Sequence, residues 1–221
     1  MKEATLPNLS ALEARVLCVL VEKQLTTPDY YPLTVNALVA GCSQKSSRDP
    51  VMSVTESQVQ AALDALKRQT LVIDSYGASG RVMRYAHNLP KVLNIGQAMT
   101  ALLAMLVLRG PQTAAELRAH CERLYQFADL SSVEAYLEDM ARRSAGALAV
   151  KLPRQPGSRE SRWAHLLSGP VQSGDITAQA VESPAADELS ALRSEVARLR
   201  EEVAELRTMV ESLHTPPAEQ A

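Results

Sequence analysis

The sequence predicts a mainly α protein of the α+β class, and three observations support this prediction. Hydrophobic residues make up 46% of the 221 residues but only 4% are aromatic, so the core must consist mostly of Leu, Val, Ala and Met. A core rich in Leu, Ala and Met favours helices. Repeated helix-start motifs and two pairs of β-prone runs are the other two observations.

Helix starts are marked by capping boxes, in which a hydroxyl and a Glu or Gln three residues later satisfy free backbone N–H groups reciprocally. Four pairs fit this motif: Ser10 with Glu13, Thr55 with Gln58, Thr113 with Glu116, and Ser131 with Glu134. Asn94 with Gln97 is a weaker fifth candidate. Apolar residues at helical spacing accompany these motifs. They predict helices near 10–24, 34–43, 55–69, 95–109, 113–125 and 131–143.

Each group of three predicted helices is followed by a β-hairpin pattern. The first consists of LVIDSY and RVMRYAH around GASG, and the second of LAVKLP and RWAHLL around RQPGSRES. The two halves align at an offset of 74: Val59, Leu63, Leu66 and Arg68 match Val133, Leu137, Met140 and Arg142. Three helices closed by a two-stranded wing form a winged-helix domain, a variant of the helix-turn-helix. The sequence therefore predicts tandem winged-helix domains at 1–90 and 91–167.

The C-terminal part differs in composition and periodicity. Residues 168–187 are rich in Ser, Gly, Pro and Ala and predict a flexible linker. Residues 188–214 carry apolar side chains at two heptad positions: Leu189, Val196, Val203 and Val210 at a, and Leu192, Leu199, Leu206 and Leu213 at d. Val at a with Leu at d predicts a C-terminal coiled-coil helix that pairs as two parallel strands.

The charges beside this apolar seam indicate the same pairing. Glutamates occupy g and arginines occupy e: Glu188, Glu195 and Glu202, then Arg193, Arg200 and Arg207. In a parallel homodimer each Glu faces an Arg of the partner, whereas an antiparallel pair would bring like charges together. We therefore expect a parallel coiled-coil homodimer. The alternative is one amphipathic helix that folds back on its own chain.

Charge and targeting signals limit the cellular setting. The net charge of −2 divides into +1 for residues 1–90, +3 for 91–167 and −6 for 168–221, so the part of the chain up to residue 167 is weakly basic.

The three cysteines, Cys18, Cys42 and Cys121, include no Cys-x-x-Cys pair, which argues against a disulfide framework or a zinc site. The N-terminus lacks a secretory signal pattern, and the apolar run 101–108 is shorter than a bilayer requires. We expect a cytoplasmic protein with no membrane partner.

Three long blocks resemble the YceH-like family of bacterial proteins. The blocks are LSALEARVLCVLVEKQLTTPDYYPLTVNALVAGCSQKSSRDPVM, LRGPQTAAELRAHCERLYQFADLSSVEAYLEDMARR and LPRQPGSRESRWAHL. Ser43 and Ser47 stand where the family's usual CNQKSNRDPVM block has Asn. The resemblance implies a tandem winged-helix fold and a bacterial cytoplasm, without an established activity.

A winged helix usually places its third helix in the major groove of DNA, with the wing against the backbone or minor groove. The predicted third helices carry acidic residues near their starts, and the first also carries Gln58 and Gln60, which could pair with adenine. The candidate DNA-binding residues are Lys45, Arg48, Gln58, Gln60, Arg81, Arg84, Lys151, Arg154, Arg159 and Arg162. For Arg48, two further interpretations stay open: a solvated loop, or a structural turn held by Asp49.

The sequence predicts a non-enzymatic protein. His87, His120, His165 and His214 lie scattered, the glycines form no phosphate-binding loop, and we expect no metal and no cofactor. The first interpretation is a dimeric DNA-binding protein that acts as a transcriptional regulator. The alternative is a protein–protein interaction adaptor built on winged-helix domains, favoured by the acidic third helices and the sequence pI near 6.1.

Overall fold

A computed structural model describes residues 7–76, 82–155 and 158–171 of the chain. Within these ranges the protein is mixed α and β, with seven α-helices and two small antiparallel sheets, which confirms the α+β class. The helices are α1 Ala11–Thr26, α2 Val35–Cys42, α3 Glu56–Arg68, α4 Leu89–Leu93, α5 Gln97–Arg109, α6 Ala114–Cys121 and α7 Leu130–Ala141. The strands are β1 Val72–Tyr76, β2 Met83–His87, β3 Ala149–Lys151 and β4 Trp163–His165. A short 3-10 helix spans Pro28–Tyr30.

Three predicted capping boxes are confirmed. Ser10, Thr55 and Thr113 cap α1, α3 and α6, and in each case the residue three positions later bonds back to the cap. These reciprocal bonds satisfy N–H groups that the first helical turn leaves free. The helix starts therefore follow from local sequence alone.

The fourth predicted box is wrong. Helix α7 begins at Leu130, and Asp129 is its cap, accepting a hydrogen bond from the backbone N of Ser132 at 2.7 Å. A carboxylate at this position also interacts favourably with the positive end of the helix dipole, so Ser131 lies inside the helix. The Asn94 candidate is also wrong. Asn94 ends α4 in the left-handed conformation with φ 50°, and Gly96 precedes α5 without a side-chain cap.

The order of three helices and one hairpin occurs twice, as α1 to β2 and as α5 to β4. Both predicted hairpins are confirmed, with β1 and β2 paired from Val72↔His87 to Tyr76↔Met83 and β3 and β4 paired over three positions. The segment before the second helix of each half adds one bridge, Leu33 to Tyr85 and Gln112 to Trp163. Helix α4, which the sequence patterns did not predict, lies between the halves in the chain.

One core extends through both halves. Helix α1 packs against α5, and the apolar run of α5 from Ala101 to Leu108 is completely buried. The described residues up to Val171 form one compact unit, and the boundary between residues 90 and 91 stays a prediction. No helix in ranges 7–76, 82–155 and 158–171 has the length and apolarity to cross a membrane.

The connection between α2 and α3 joins the two halves, and we call its residues 43–50 the clasp loop. The backbone N of Asp49 donates to the carbonyl oxygen of Leu108 at 2.8 Å, and Arg109 Nη2 donates to Ser47 Oγ at 2.6 Å. Buried Arg15 of α1 donates through Nη2 to the carbonyl oxygen of Pro50, the last residue of the loop, at 2.8 Å. The clasp loop therefore holds the end of α5 near α1.

Candidate nucleic-acid interface

The second hairpin carries a group of exposed cations. Lys151 at the end of β3, and Arg154 and Arg159 in the connection to β4, are exposed. No ion pair within the described ranges engages these three side chains, although Glu160 is adjacent to Arg159 in sequence. Lys151 Nζ lies 5.6 Å from the ring centroid of Trp163, a cation–π distance that orients the ammonium group but leaves its charge available.

Arg162 has a structural role in this hairpin. Its Nη1 donates to the carbonyl oxygen of Pro111 at 2.8 Å, and its two terminal nitrogens each contact a Glu116 carboxylate oxygen at 3.1 Å. Glu116 also accepts the backbone N–H of Thr113 in the capping box of α6. Arg162 thus ties the hairpin to the start of α6 and is largely neutralised.

Arg84 occupies the equivalent position in the first half. Its Nη1 donates to the carbonyl oxygen of Pro32 at 2.8 Å, as Arg162 does to Pro111. The residues that follow also correspond, since Tyr85 and Trp163 each form a β-bridge to the segment that precedes the second helix of the same half. The repeated tetrapeptides RYAH at 84–87 and RWAH at 162–165 carry this shared contact. Both arginines are therefore anchors of the hairpins, and the repeated tetrapeptide is the sequence signal that indicates this role.

Arg48 is not a surface residue. Its side chain is 0% exposed, and it forms a two-point ion pair with Glu22, with Nη2–Oε2 at 2.6 Å and Nη1–Oε1 at 3.1 Å. Further donors reach the carbonyl oxygen of Gly41 and the side chain of Gln44. Its proposed contact with DNA is corrected for this reason: every donor nitrogen is used inside the protein. The partner is Glu22 of α1, whereas the sequence had suggested Asp49. Lys45 in the same loop is exposed.

The two candidate glutamines of α3 are engaged in local contacts. Gln58 Oε1 accepts from the backbone N of Thr55 at 2.9 Å and completes the capping box. Gln60 donates to Asp64 Oδ1 at 3.1 Å and accepts from the hydroxyl of Tyr85 at 3.3 Å. A base contact by either amide would have to compete with these bonds. The Gln60–Tyr85 bond joins α3 to the first hairpin.

The third helices differ in the charge of their exposed surfaces. Helix α7 exposes Glu134 and Asp139, whereas α3 exposes Glu56 and Asp64 together with Arg68 at its last residue. Carboxylates repel phosphate groups, so α7 is poorly suited to lie deep in a DNA groove. The second hairpin, in contrast, carries three exposed cations close together in the chain.

The histidines that end β2 and β4 are neutral near pH 7. Burial lowers the pKa of His87 to about 4 and of His165 to about 4. The Nδ1 atom of each is buried without a hydrogen-bond partner among the described residues, so a second ring proton would have no acceptor. Neither side chain supplies charge for an anion. No group of three His, Cys, Asp or Glu side chains suited to a metal ion occurs within the described ranges.

Several predicted residues lie outside the described residues. Arg81 of the first hairpin is among them, as are residues 172–187 of the predicted linker. The same holds for the proposed dimerisation residues Leu189, Leu192, Val196, Leu199, Val203, Leu206, Val210 and Leu213. The coiled-coil pairing therefore stays a prediction from the heptad pattern.

Comparison with known proteins identifies close relatives. Residues 9–158 match the family described as "Protein of unknown function, DUF480". A UPF0502 protein of Leptothrix cholodnii is 54% identical over 192 residues, covering 85% of each chain. A UPF0502 protein of Burkholderia thailandensis is 55% identical over 188 residues, covering 84% of this chain and 79% of its own. A UPF0502 protein of Dechloromonas aromatica is 52% identical over 194 residues, covering 88% of this chain and 90% of its own.

Proposed function

We propose that this chain, which belongs to the DUF480 family of proteins of unknown function, binds duplex DNA through phosphate contacts made by its second hairpin. The observation that carries the proposal is the exposure of Lys151, Arg154 and Arg159 without an ion-pair partner in the described part of the chain. Phosphate contacts contribute affinity that depends on salt but not on base sequence.

Each half is interpreted as a winged-helix unit, with α3 and α7 as the third helices and the hairpins as wings. The repeated order of elements and the equivalent anchors Arg84 and Arg162 support this interpretation. The acidic surface of α7, and the exposed carboxylates Glu56 and Asp64 of α3, make the wing, rather than the third helix, the favoured DNA contact. This arrangement favours binding that depends weakly on sequence, as in an architectural protein or a regulator that finds its site with help from a partner.

The predicted coiled coil would bring two such bodies to one DNA molecule. Two linked wings would raise the effective concentration of each at the duplex, so affinity would exceed that of one body. Truncation after Ala186 tests this point, because mass measurement in solution should then give a monomer and DNA affinity should fall. A truncated chain that stays dimeric would contradict the pairing.

Titration against random-sequence duplex DNA at several salt concentrations tests the proposal directly. We expect the affinity for DNA to fall steeply as the salt concentration rises. Changing Lys151, Arg154 and Arg159 together to Ala should reduce the slope of log K against log salt concentration by up to about 2.7. A matched control removes three exposed cations elsewhere that form no ion pair within the described ranges, Lys91, Arg118 and Arg123. Equal effects of the two triple variants, or no binding at low salt, would reject phosphate recognition by the hairpin.

A second candidate function is that of a protein-interaction adaptor, which the apolar surface of the first hairpin favours. Ile73, Tyr76 and Val82 are 49%, 70% and 53% exposed, in contrast to the basic second hairpin. Large exposed apolar side chains grouped on one element are typical of protein contacts. An adaptor would bind no DNA at any salt concentration. The double variant Tyr76→Ser with Val82→Ser would no longer associate with a protein partner that the wild-type chain binds.

A further inference from the structure

A cleft of about 350 Å³ lies where α1, the end of β2, α4 and α5 meet. It is lined by Val21, Gln24, Leu25, His87, Pro90, Gln97 and Thr100. Its volume is at the lower end of the range for pockets that hold small molecules. Because the lining comes from elements of both halves, a bound molecule would contact α1 and α5 at once.

The lining contains no Asp, Glu, Lys or Arg side chain. The ring of His87 is also uncharged near pH 7, because Nε2 is hydrogen-bonded to Gln24 Oε1 and the buried Nδ1 lacks an acceptor for a second proton. An ion that entered the cleft would lose hydration without gaining an opposite charge, which is unfavourable. The cleft therefore favours a neutral molecule.

The cleft presents two side-chain carboxamides, those of Gln24 and Gln97. The Gln97 carboxamide has no hydrogen-bond partner within the described ranges, and the Gln24 carboxamide uses only its oxygen, for His87. Carboxamides both donate and accept hydrogen bonds, so they match a group that does the same. Apolar contact is supplied by the half-buried side chains of Leu25 and Pro90, on which a flat ring can pack.

From these features we propose that the cleft binds a small neutral planar ring that carries a carboxamide or lactam group. The ring would pack on the apolar side chains, and its amide would pair with the free carboxamide of Gln97 and the amide nitrogen of Gln24. This site is separate from the second hairpin, so its occupation and the binding of DNA are tested independently.

Nicotinamide is a suitable probe, and nicotinate is its anionic counterpart of nearly equal shape. We expect ligand-observed saturation-transfer NMR to give saturable binding of nicotinamide to the full chain at one site, and nicotinate to bind at least about tenfold more weakly. Absence of saturation with nicotinamide, or equal affinity for the two probes, would overturn the proposal.

Variants then locate the site. Gln97 is exposed at the first residue of α5, so Gln97→Leu should preserve the fold. The change should weaken the binding of nicotinamide at least about fivefold, because its amide loses a hydrogen-bond partner. Gln69→Leu is the matched control, because Gln69 is exposed at the end of α3 and does not line the cleft. Leu25→Trp, which should fill the cleft, provides a second test after its melting temperature is compared with that of the wild type. Binding unchanged in Gln97→Leu and in folded Leu25→Trp would exclude the cleft as the site.

Discussion

Replacing Arg48 with Met is expected to lower the free energy of unfolding by about 3–5 kcal/mol, the usual cost of breaking a buried ion pair from one side. The side chain of Arg48 is 0% exposed and that of Glu22 only 14% exposed. Methionine would fill much of the volume but would leave the mostly buried Glu22 carboxylate with only the longer contact to Lys23, whose Nζ lies 3.7 Å from Oε2. The carbonyl oxygens of Gly41 and Ser47 would lose donors as well.

Further variants separate the contribution of the charge of Arg48 from the contribution of its hydrogen bonds. Arg48→Lys retains the charge but cannot reproduce two parallel contacts with Glu22 or the bond from Nε to Gly41, so it should recover only part of the loss. The double change Arg48→Met with Glu22→Gln should be less destabilising than the sum of the single changes, because no unpaired charge then remains.

The assay is urea denaturation followed by circular dichroism. Arg142→Met is the matched control, since Arg142 also pairs with a glutamate, Glu138, but its side chain is 77% exposed. That change should cost no more than about 1 kcal/mol. If Arg48→Met were as mild as Arg142→Met, the buried role of Arg48 would be refuted and phosphate contact by this residue would have to be reconsidered.

Three further outcomes are expected. Burial lowers the pKa of His87 and His165 to about 4 in the folded chain, whereas both side chains have a pKa near 6.5 when the chain is unfolded. Between these values the unfolded chain binds more protons than the folded chain, so the free energy of unfolding should fall as pH drops from about 6.5 towards 4. Urea titrations at neutral and mildly acidic pH measure this, and replacing both histidines with Gln should flatten the decline. Gly41→Ala would place a Cβ 2.7 Å from Val19 Cγ1 and should cost about 1–3 kcal/mol in the same assay. The double change with Val19→Ala should cost less than the sum of the two single changes, and additive costs would contradict the contact. Burial also raises the pKa of the Cys42 thiol to about 11, so iodoacetamide should label it slowly in the native protein and rapidly in urea. Equally rapid labelling in both states would place the thiol at the surface.

Local sequence was sufficient where the decisive contacts are local. The capping boxes at Ser10, Thr55 and Thr113 were predicted because both partners of each pair lie three residues apart. The hairpins were predicted because β-prone runs flank turn residues. Where two local solutions compete, the prediction was wrong: Asp129 and Ser131 can both start α7, and the carboxylate is the residue that caps it.

The candidate interface depends on contacts that the linear sequence does not reveal. Arg48 and Glu22 are 26 residues apart, and Arg162 and Glu116 are 46 apart, so neither ion pair has a local signature. In the sequence these arginines look equivalent to Arg154 and Arg159. Burial and pairing separate two structural anchors from cations that stay available for phosphate.

The sequence by itself determined the starts of α1, α3 and α6, both hairpins and the repeated order of elements, because backbone hydrogen bonding and hydrophobic period act over a few residues. Only the tertiary structure decided which charges face solvent, since an arginine is free or neutralised according to groups that folding brings to it from distant parts of the chain. It also decided that α1 and α5 share one core, and it formed the cleft between them. Whether a charge is exposed, and where the surface forms a cleft, depend on how distant segments pack together. Neither property can be read from a short segment of the chain.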